Sequence, residues 1–266
     1  MEKFWLALVF ILAIKSPVLV NAAYDGDSKD LVPLLTSEKI NLSDTDESDL
    51  VEAYDYYVTV GELEGISFDE WKAALIEGLN TPTDLPKPIN YNLRDSPLHA
   101  GDFIIVPGES SAGGLVGHNG LVIGPDKILH SPGGQNAGKA TVTTNIKSFM
   151  NKYGFGNSRV YRPKRLSGGS VNMMAGWYAL TTTFNSTGNT EDRNIYIDYS
   201  IPSGSMNLKA ASPTYCSKLV YQAYAYGTGG SPIVPQPPKT PKKSGIIPPK
   251  SLPSYFSQTP DYVGSF

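Results

Sequence analysis

The chain of 266 residues contains little cysteine and little histidine, with one of the former and three of the latter. A single cysteine excludes an intramolecular disulfide. The cysteine and the three histidines do not have the spacing of zinc ligands. No glycine-rich segment has the pattern of a phosphate-binding loop. The sequence therefore predicts no metal and no cofactor.

Long apolar runs are also scarce. The longest, residues 4–14, is shorter than the roughly 20 residues that a membrane-spanning helix needs, and Lys15 follows it. A charged start at Lys3, this apolar run and small residues ending at Ala22 are typical of a secretory signal. We expect residues 1–22 to be removed near Ala22, which predicts a secreted protein without a stable membrane anchor.

The charged residues nearly balance, at a net charge of −3, and no nucleic-acid-binding motif is present. The two signs are segregated, however. Residues 24–70 contain fourteen carboxylates and two lysines, whereas residues 71–266 have a net charge of +8. A basic exported domain is suited to binding anionic wall polymers. The same net charge would also result from solvated charges dispersed over the surface with no binding role. An acidic leader beside a basic domain also suggests autoinhibition.

Two helices are predicted near the N-terminus. Asp44 and Glu47 can cap the first, which carries an apolar stripe at helical spacing. Ser67 and Glu70 form a capping box, which predicts a second helix from Ser67 to about Gly78.

Four segments follow from these signals. After the signal at 1–22 we expect an acidic helical region at 23–80 and a proline-containing linker at 81–97. The catalytic domain is expected at 98–266. Its proline-rich end, 227–266, contains interleaved apolar residues, so we expect it to pack in part on the domain.

In the catalytic domain the sequence predicts short strands followed by two helices. The β-rich runs are Phe103 to Val106, Asn119 to Ile123, Lys127 to His130, Ala140 to Thr144 and Arg159 to Arg162. Helices are predicted from Val171 to about Phe184 and from Tyr215 to about Tyr226. The predicted fold class is α+β, with a small, mostly antiparallel sheet.

The lone cysteine stands at the start of a predicted helix. At this position the helix dipole and free backbone N–H groups stabilise a thiolate, and the N–H groups of Cys216 and Ser217 can hold an oxyanion. An exported thiol is open to oxidation, so Cys216 is a reactive nucleophile, a partner in an intermolecular disulfide, or a buried, inert residue.

The candidate bases are His118 and His130, in the two arms of a predicted β-hairpin. If residues 124–126 form the loop, both histidines fall on the same face of the hairpin, whereas a two-residue loop would place them on opposite faces. The shared face would let His118 act as the base and His130 orient it. Purely structural roles are the alternative for each histidine.

Several segments together carry a resemblance to a known family. They are Gly101 to Val106, Gly117 to Gly124 with His130 twelve residues after His118, Val160 to Pro163, and Tyr215 to Val220. They resemble the circularly permuted branch of the NlpC-type papain-like cysteine peptidases, also called YiiX-like. In that branch the histidine strands precede the cysteine helix, as they do here. The resemblance covers roughly Leu98 to Tyr226.

The resemblance implies a papain-like core with the cysteine helix packed on the sheet. It implies Cys216 as nucleophile, His118 as general base and His130 as the polar residue that orients it. Many permuted members have a carboxylate in the third position, so His130 departs from that pattern. The family also tends to have a tyrosine hydroxyl near the oxyanion. Tyr199 is the candidate here, with Tyr215 and Tyr196 as competitors.

Three functions remain open. The first is an exported cysteine peptidase or amidase that hydrolyses amide bonds, with cell-wall peptides as the expected substrate. The second is a thiol-dependent lipid acyltransferase or deacylase with the same site. It predicts an apolar groove or a membrane-seeking helix, neither of which the sequence reveals. The third is a non-enzymatic wall-binding protein, which predicts an inaccessible thiol.

Overall fold

The computed structural model describes eight stretches of the chain: 47–81, 98–110, 116–133, 138–153, 158–164, 171–202, 208–228 and 246–265. The predicted signal at 1–22, the capping residue Asp44 and nearly all of the predicted linker lie outside the described residues. No helix within the described stretches is both long enough and apolar enough to cross a membrane.

The described elements are helices and short strands, with four strands in succession in the middle of the chain. In chain order they are α1 (Glu47–Thr59), β1 (Leu63–Glu64), α2 (Phe68–Asn80), β2 (Phe103–Ser110), β3 (Val116–Gly124), β4 (Lys127–His130), β5 (Val142–Asn145), α3 (Ile146–Tyr153), β6 (Arg159–Arg162), α4 (Val171–Thr183), β7 (Ile201–Pro202), α5 (Cys216–Gly227), a 3-10 helix (Pro249–Tyr255) and β8 (Asp261–Ser265).

The centre of the fold is a six-stranded sheet in the order β5-β4-β3-β2-β6-β8. All of its neighbouring strands pair antiparallel. Strands β1 and β7 form a separate, short parallel pair. The predicted class, α+β with a small antiparallel sheet, is confirmed.

The two faces of the sheet are covered by different helices. Side chains alternate along a strand, so Phe103 and Leu121 face one side and Ile104 and Val122 the other. The Phe103 face packs against α4, α5 and the 3-10 helix. The Ile104 face packs against α3. We call these the α5 face and the α3 face.

The N-terminal helical pair packs onto the segment that carries the cysteine. The predicted capping box is present, since Ser67 Oγ accepts from the backbone N–H of Glu70 while the Glu70 carboxylate accepts from the backbone N–H of Ser67. Buried residues of α1 and α2, with Trp71 fully buried, form one apolar cluster with Tyr215 and Ile246. The acidic helical region therefore shares a core with the start of α5.

The expected packing of the chain end is confirmed where the structure describes it. The 3-10 helix lies on the α5 face, and β8 extends the sheet beside β6. Neither element was predicted, because their prolines and glycine obscure the periodicity. Helix α3 was also missed, although its buried residues have helical spacing: Ile146, Phe149, Met150 and Tyr153.

Candidate active site

The two predicted histidines form a hydrogen-bonded pair. Nε2 of His118 lies 3.0 Å from Nδ1 of His130, and the side chains are 2% and 3% exposed. Cα of His130 pairs with Gly120, which places His118 diagonally across the ladder on the same face. The two histidines therefore share a face, the arrangement that the sequence predicted only for a three-residue loop.

The hairpin loop that gives this arrangement differs from the predicted one. Gly124 pairs with Lys127, so the connection has two residues, Pro125 and Asp126, rather than three. A two-residue loop alone would have separated the histidines. An irregularity between Val122 and Gly124 adds one residue to β3 and restores the shared face.

Aromatic rings of α3 enclose the histidine pair. His118 lies 4.6 Å from the Tyr153 ring and 5.8 Å from the Phe149 ring, measured between centroids. His130 packs edge-on against the same two rings. Gly120 leaves the room for this packing, since a Cβ there would lie 3.0 Å from Phe149. The pair is therefore an apolar-walled site on the α3 face.

This environment keeps both imidazoles neutral. Burial, with a smaller effect of Lys152, lowers the pKa of His118 from 6.5 to about 3. Burial, followed by His118 and Lys152, also lowers the pKa of His130 well below 6.5. At neutral pH one proton is therefore shared along the His118–His130 bond. In the tautomer in which Nε2 of His118 donates to Nδ1 of His130, Nδ1 of His118 is the nitrogen that can accept a proton.

Cys216 is the first residue of α5, as predicted, and its side chain is 1% exposed. Tyr215 occupies the N-cap in an extended conformation and makes no side-chain cap. The thiol therefore lies where the backbone N–H groups of the first helical turn converge. Ser217 Oγ donates to the Ile247 carbonyl at 2.5 Å, so its hydroxyl supports the fold while its backbone N–H stays in the first turn.

The histidine pair and the body of α5 lie on opposite faces of the sheet. His118 shares its face with Val106 and α3, whereas α5 packs on the other face through residues such as Leu219. The structure brings His118 and His130 together. Direct contact between Cys216 and His118 stays a prediction.

The two tyrosines predicted near the oxyanion flank the cysteine segment. Tyr215 OH accepts from the backbone N–H of Ile247 at 3.0 Å, and burial raises the pKa of this tyrosine. Tyr199 forms an isolated bridge with Thr214, two residues before Cys216. Its hydroxyl lies against Gly133, three residues after His130. Tyr199 therefore connects the end of the histidine strand with the start of α5. The competing Tyr196 is 63% exposed.

Two buried polar residues, one on β3 and one on α5, were not predicted. Asn119 is fully buried on the α5 face, where its Oδ1 has no hydrogen-bond partner among the described residues. Lys218, also fully buried, donates to the Pro213 carbonyl, and burial lowers its pKa to about 8. Strand alternation from His118 would have indicated the side that Asn119 faces. No sequence signal indicates that Lys218 is buried, because a lysine in a helix is usually exposed to solvent.

The described stretches contain no cluster of three or more side chains suited to a metal ion. The groups that the structure offers for chemistry are a thiol at the start of α5 and a neutral imidazole pair. Such groups transfer acyl groups through a covalent intermediate.

Comparison with known proteins identifies the family. A model described as lipoprotein N-acylation protein LnsA-like matches residues 89–234, more than half of the chain. An uncharacterized 30.3 kDa protein of Bacillus thuringiensis is 33% identical over 160 residues, which cover 60% of this chain and 54% of that protein. The chain thus spans about half the length of that relative. No solved structure matches the chain significantly. The matched region contains β2 to α5, and with it Cys216 and both paired histidines, so the chain belongs to the LnsA-like family of lipoprotein N-acylation proteins.

Proposed function

We propose that this protein is a thiol-dependent acyltransferase that moves a fatty acyl group from a lipid ester to an amine. The family match supports acyl transfer, because the family is described by lipoprotein N-acylation. The single observation that carries the proposal is Cys216 at the first position of α5, within the matched region.

The reaction proceeds in two balanced steps. His118 accepts the thiol proton, and the Cys216 sulfur attacks the ester carbonyl. The C–O bond then breaks, and the departing alkoxide takes the proton from the imidazolium, which leaves a thioester. The acceptor amine next attacks the thioester, the C–S bond breaks, and the amine proton returns to the thiolate through His118. Water in place of the amine would make the same protein a deacylase.

Each of the other groups has a role in the proposed steps. His130 is hydrogen-bonded to Nε2 of His118 and would hold the ring in place, with Nδ1 of His118 as the atom that takes the thiol proton. Backbone N–H groups of Cys216 and Ser217 stabilise the oxyanion in each step. We also propose that the core is a circularly permuted NlpC-type papain-like fold, in which the histidine strands β3 and β4 precede the cysteine helix.

An apolar groove supports a lipid substrate. It has a volume of about 420 Å³ and lies between α4, the tip of β3 and the end of α5. Met173, Met174 and Trp177 line it and are 64%, 44% and 58% exposed. Large apolar side chains exposed together are typical of interaction surfaces. The lipid hypothesis required such a groove, and helical periodicity did not reveal it because the apolar residues of α4 are not confined to one stripe.

The family description favours acyl transfer over the peptidoglycan amidase that the NlpC resemblance first implied. Both reactions use the same nucleophile, so they differ in the acyl donor and acceptor. Secretion fits a lipoprotein acceptor on the outer side of the membrane, and we propose it on the basis of residues 1–22.

The proposal is tested with the full-length mature protein, diacyl phospholipid vesicles and a lipopeptide with a free N-terminal amine. We expect the lipopeptide to gain one acyl mass. Without lipopeptide, we expect an acyl adduct on the protein that hydroxylamine removes. Cys216→Ala should give neither product, while Cys216→Ser should lose turnover. Cleavage of wall peptides by the wild type, with no acyl transfer, would contradict the proposal.

A further inference from the structure

The segment that leads into α5 contains a fully buried threonine, Thr214. Its Oγ1 has no hydrogen-bond partner among the residues that the structure describes. A hydroxyl that is buried away from water destabilises a fold unless it is paired, so a buried hydroxyl of this kind needs an explanation. Thr214 lies two residues before Cys216, the proposed nucleophile.

Thr214 and Cys216 lie on the same side of the chain. Thr214 pairs with Tyr199 in a parallel bridge, and Tyr215 is extended, with φ −145° and ψ 170°. Successive side chains of an extended segment point to opposite sides, so Thr214 and Cys216 share one side and Tyr215 points to the other. Tyr215 accordingly lies in the apolar cluster of the N-terminal helices, where its hydroxyl is bound to Ile247.

Thr214 also stands at the positive end of α5. The N–H of Leu219 donates to the Tyr215 carbonyl at 2.9 Å, so the N–H groups of residues 216–218 come before this intrahelical bond. The helix dipole adds partial positive charge at the same end. The first turn contains no acidic residue, and the N-cap side chain makes no capping bond. The helix start is therefore suited to an anion that comes from outside the first turn.

Hydrogen bonds on both sides of Thr214 fix its position. Its own N–H donates to the Asp198 carbonyl at 2.9 Å. The preceding carbonyl, that of Pro213, accepts from the buried ammonium of Lys218. A donor that is held in place before the reaction stabilises a developing charge well, because it does not have to reorient when the charge appears.

Tyr199 competes with Thr214 for a role at the thiol. The Tyr199 ring extends from the bridge to Gly133, and its hydroxyl lies there. The hydroxyl of Thr214 is attached to its Cβ and stays beside the segment that leads into Cys216. A β-branched side chain is also stiff at its first torsion angle, so this hydroxyl has few alternative positions.

We propose that the Thr214 hydroxyl donates a hydrogen bond to the oxyanion that forms when the Cys216 thiolate adds to a carbonyl. In the addition the S–C bond forms, and the electron pair of the C=O double bond moves onto the oxygen. Thr214 donates to that oxygen and keeps its proton. When the double bond forms again, the leaving group departs with the electron pair of its own bond. The inference rests on the proposed function for the nucleophile, Cys216, but not for a lipid donor.

An unpartnered hydroxyl favours the intermediate over the bound substrate. A hydroxyl that was bonded in the free protein would first have to give up that bond. Thr214 gains its hydrogen bond as negative charge develops on the carbonyl oxygen, so it lowers the barrier without tightening the binding of the ester. We therefore expect its loss to lower kcat and to change KM little.

The experiment compares two substitutions in the full mature protein. Thr214→Val removes the hydroxyl at nearly equal volume, and Thr214→Ser keeps it. The substrate is p-nitrophenyl butyrate, a soluble ester whose nitrophenolate release reports acylation of the protein, with Cys216→Ala as the background. We expect Thr214→Val to lower the acylation rate by about 10²–10³-fold, while Thr214→Ser stays close to wild type. Because the hydroxyl has no described partner, Thr214→Val should not lower the unfolding temperature.

A matched control and a second reaction separate this role from a general effect. Thr183→Val removes a buried hydroxyl of α4 that donates to the Ala179 carbonyl, and it should leave the acylation rate unchanged. Alkylation of Cys216 by iodoacetamide is a displacement at a saturated carbon and forms no oxyanion. Thr214→Val should therefore be alkylated at the wild-type rate.

Three results would overturn the proposal. The first is an unchanged acylation rate in Thr214→Val. The second is alkylation that slows in Thr214→Val as much as acylation does, because the hydroxyl would then act on the thiol or on the fold. The third is a loss of acylation confined to Tyr199→Phe, which would assign the oxyanion donor to the tyrosine.

The same assays separate failure of this inference from failure of the proposed function. Nitrophenolate release that depends on Cys216, with no acylation of the lipopeptide from vesicles, would contradict lipid acyl transfer, and the Thr214→Val rate would still decide the inference. Absence of any release that depends on Cys216 would overturn the inference, because no oxyanion would form at the thiol.

Discussion

Nε2 of His118 lies 3.0 Å from Nδ1 of His130, between two aromatic rings of α3 that exclude water. The bond can hold one proton between two neutral rings. A second proton would create an imidazolium in an apolar site next to another imidazole. The pair is therefore at once a candidate proton acceptor and a source of acid sensitivity.

The acid sensitivity has a definite sign. In the unfolded chain a histidine is protonated below its ordinary pKa of 6.5, whereas folding lowers the pKa of His118 to about 3. The unfolded state therefore binds more protons between these values, and stability present above pH 6.5 is lost as the pH falls toward 3. We expect the free energy of unfolding in urea to fall by about 1.4 kcal/mol per pH unit for each histidine of the pair.

Two variants check this assignment. His118→Gln should flatten the pH dependence by about one proton, and His99→Gln controls for removal of a histidine outside the pair. An unchanged slope in His118→Gln would show that other groups cause the acid sensitivity.

The role of His118 in catalysis is open to a direct test, because the pair and the body of α5 lie on opposite faces of the sheet. If His118 is the base, His118→Ala should lower kcat for acyl transfer by about 10²–10⁴-fold, with the fold retained by circular dichroism. His130→Ala should have a smaller effect, since it only orients the base. Full activity in His118→Ala with none in Cys216→Ala would assign the base elsewhere, with Lys218 as the nearest amine in sequence.

The ion pair between Asp102 and Arg162 should contribute strongly to stability. Asp102 is fully buried and accepts from Arg162 Nε at 2.7 Å and Nη2 at 2.6 Å, as well as from the backbone N–H of His99. Arg162→Met leaves that carboxylate buried without its cation, so we expect a loss of about 3–5 kcal/mol in chemical denaturation. The matched control is the exposed pair of Lys164 and Asp261, at 3.6 Å, where Lys164→Met should cost less than about 1 kcal/mol.

The helical region before the sheet should be required for stability. Trp71 is fully buried in the cluster that contains Tyr215, so Trp71→Ala should destabilise the protein by about 3–5 kcal/mol. Val58→Ala, at a position 44% exposed, is the control and should change little. A protein that begins at Asn80 would expose this cluster. We expect this truncated protein to unfold less cooperatively than the full chain. If it were stable and more active, that result would support the autoinhibition hypothesis instead.

The apolar groove should increase the rate of acyl transfer from lipids in membranes. Trp177→Ser and Met173→Ser should reduce acyl transfer from vesicles severalfold, because they remove exposed apolar area that a lipid would cover. Rates with short-chain soluble lipid should stay unchanged. Tyr196→Ser removes a comparably exposed ring outside the groove and serves as the control. Equal losses in all three variants would argue against a specific role of the groove.

Local sequence signals determined much of this protein. The capping box at Ser67 predicted α2 to within two residues, and the β-rich runs placed the strands at Lys127–His130 and Arg159–Arg162 as observed. The lone cysteine at the head of a predicted helix was placed correctly because helix starts depend on a few adjacent residues. The expectation of α+β architecture followed from the same short-range patterns.

Tertiary structure decided what local patterns cannot encode. The same-face pairing of His118 and His130 depends on one extra residue in β3, a matter of register between strands. The bridge between Tyr199 and Thr214, which positions the buried Thr214 hydroxyl, joins segments that are separate in sequence. The distribution of α3 and α5 over opposite faces follows from the packing of whole elements. Local propensity depends on neighbours in sequence, whereas register, cavities and layers depend on contacts that only the folded chain creates.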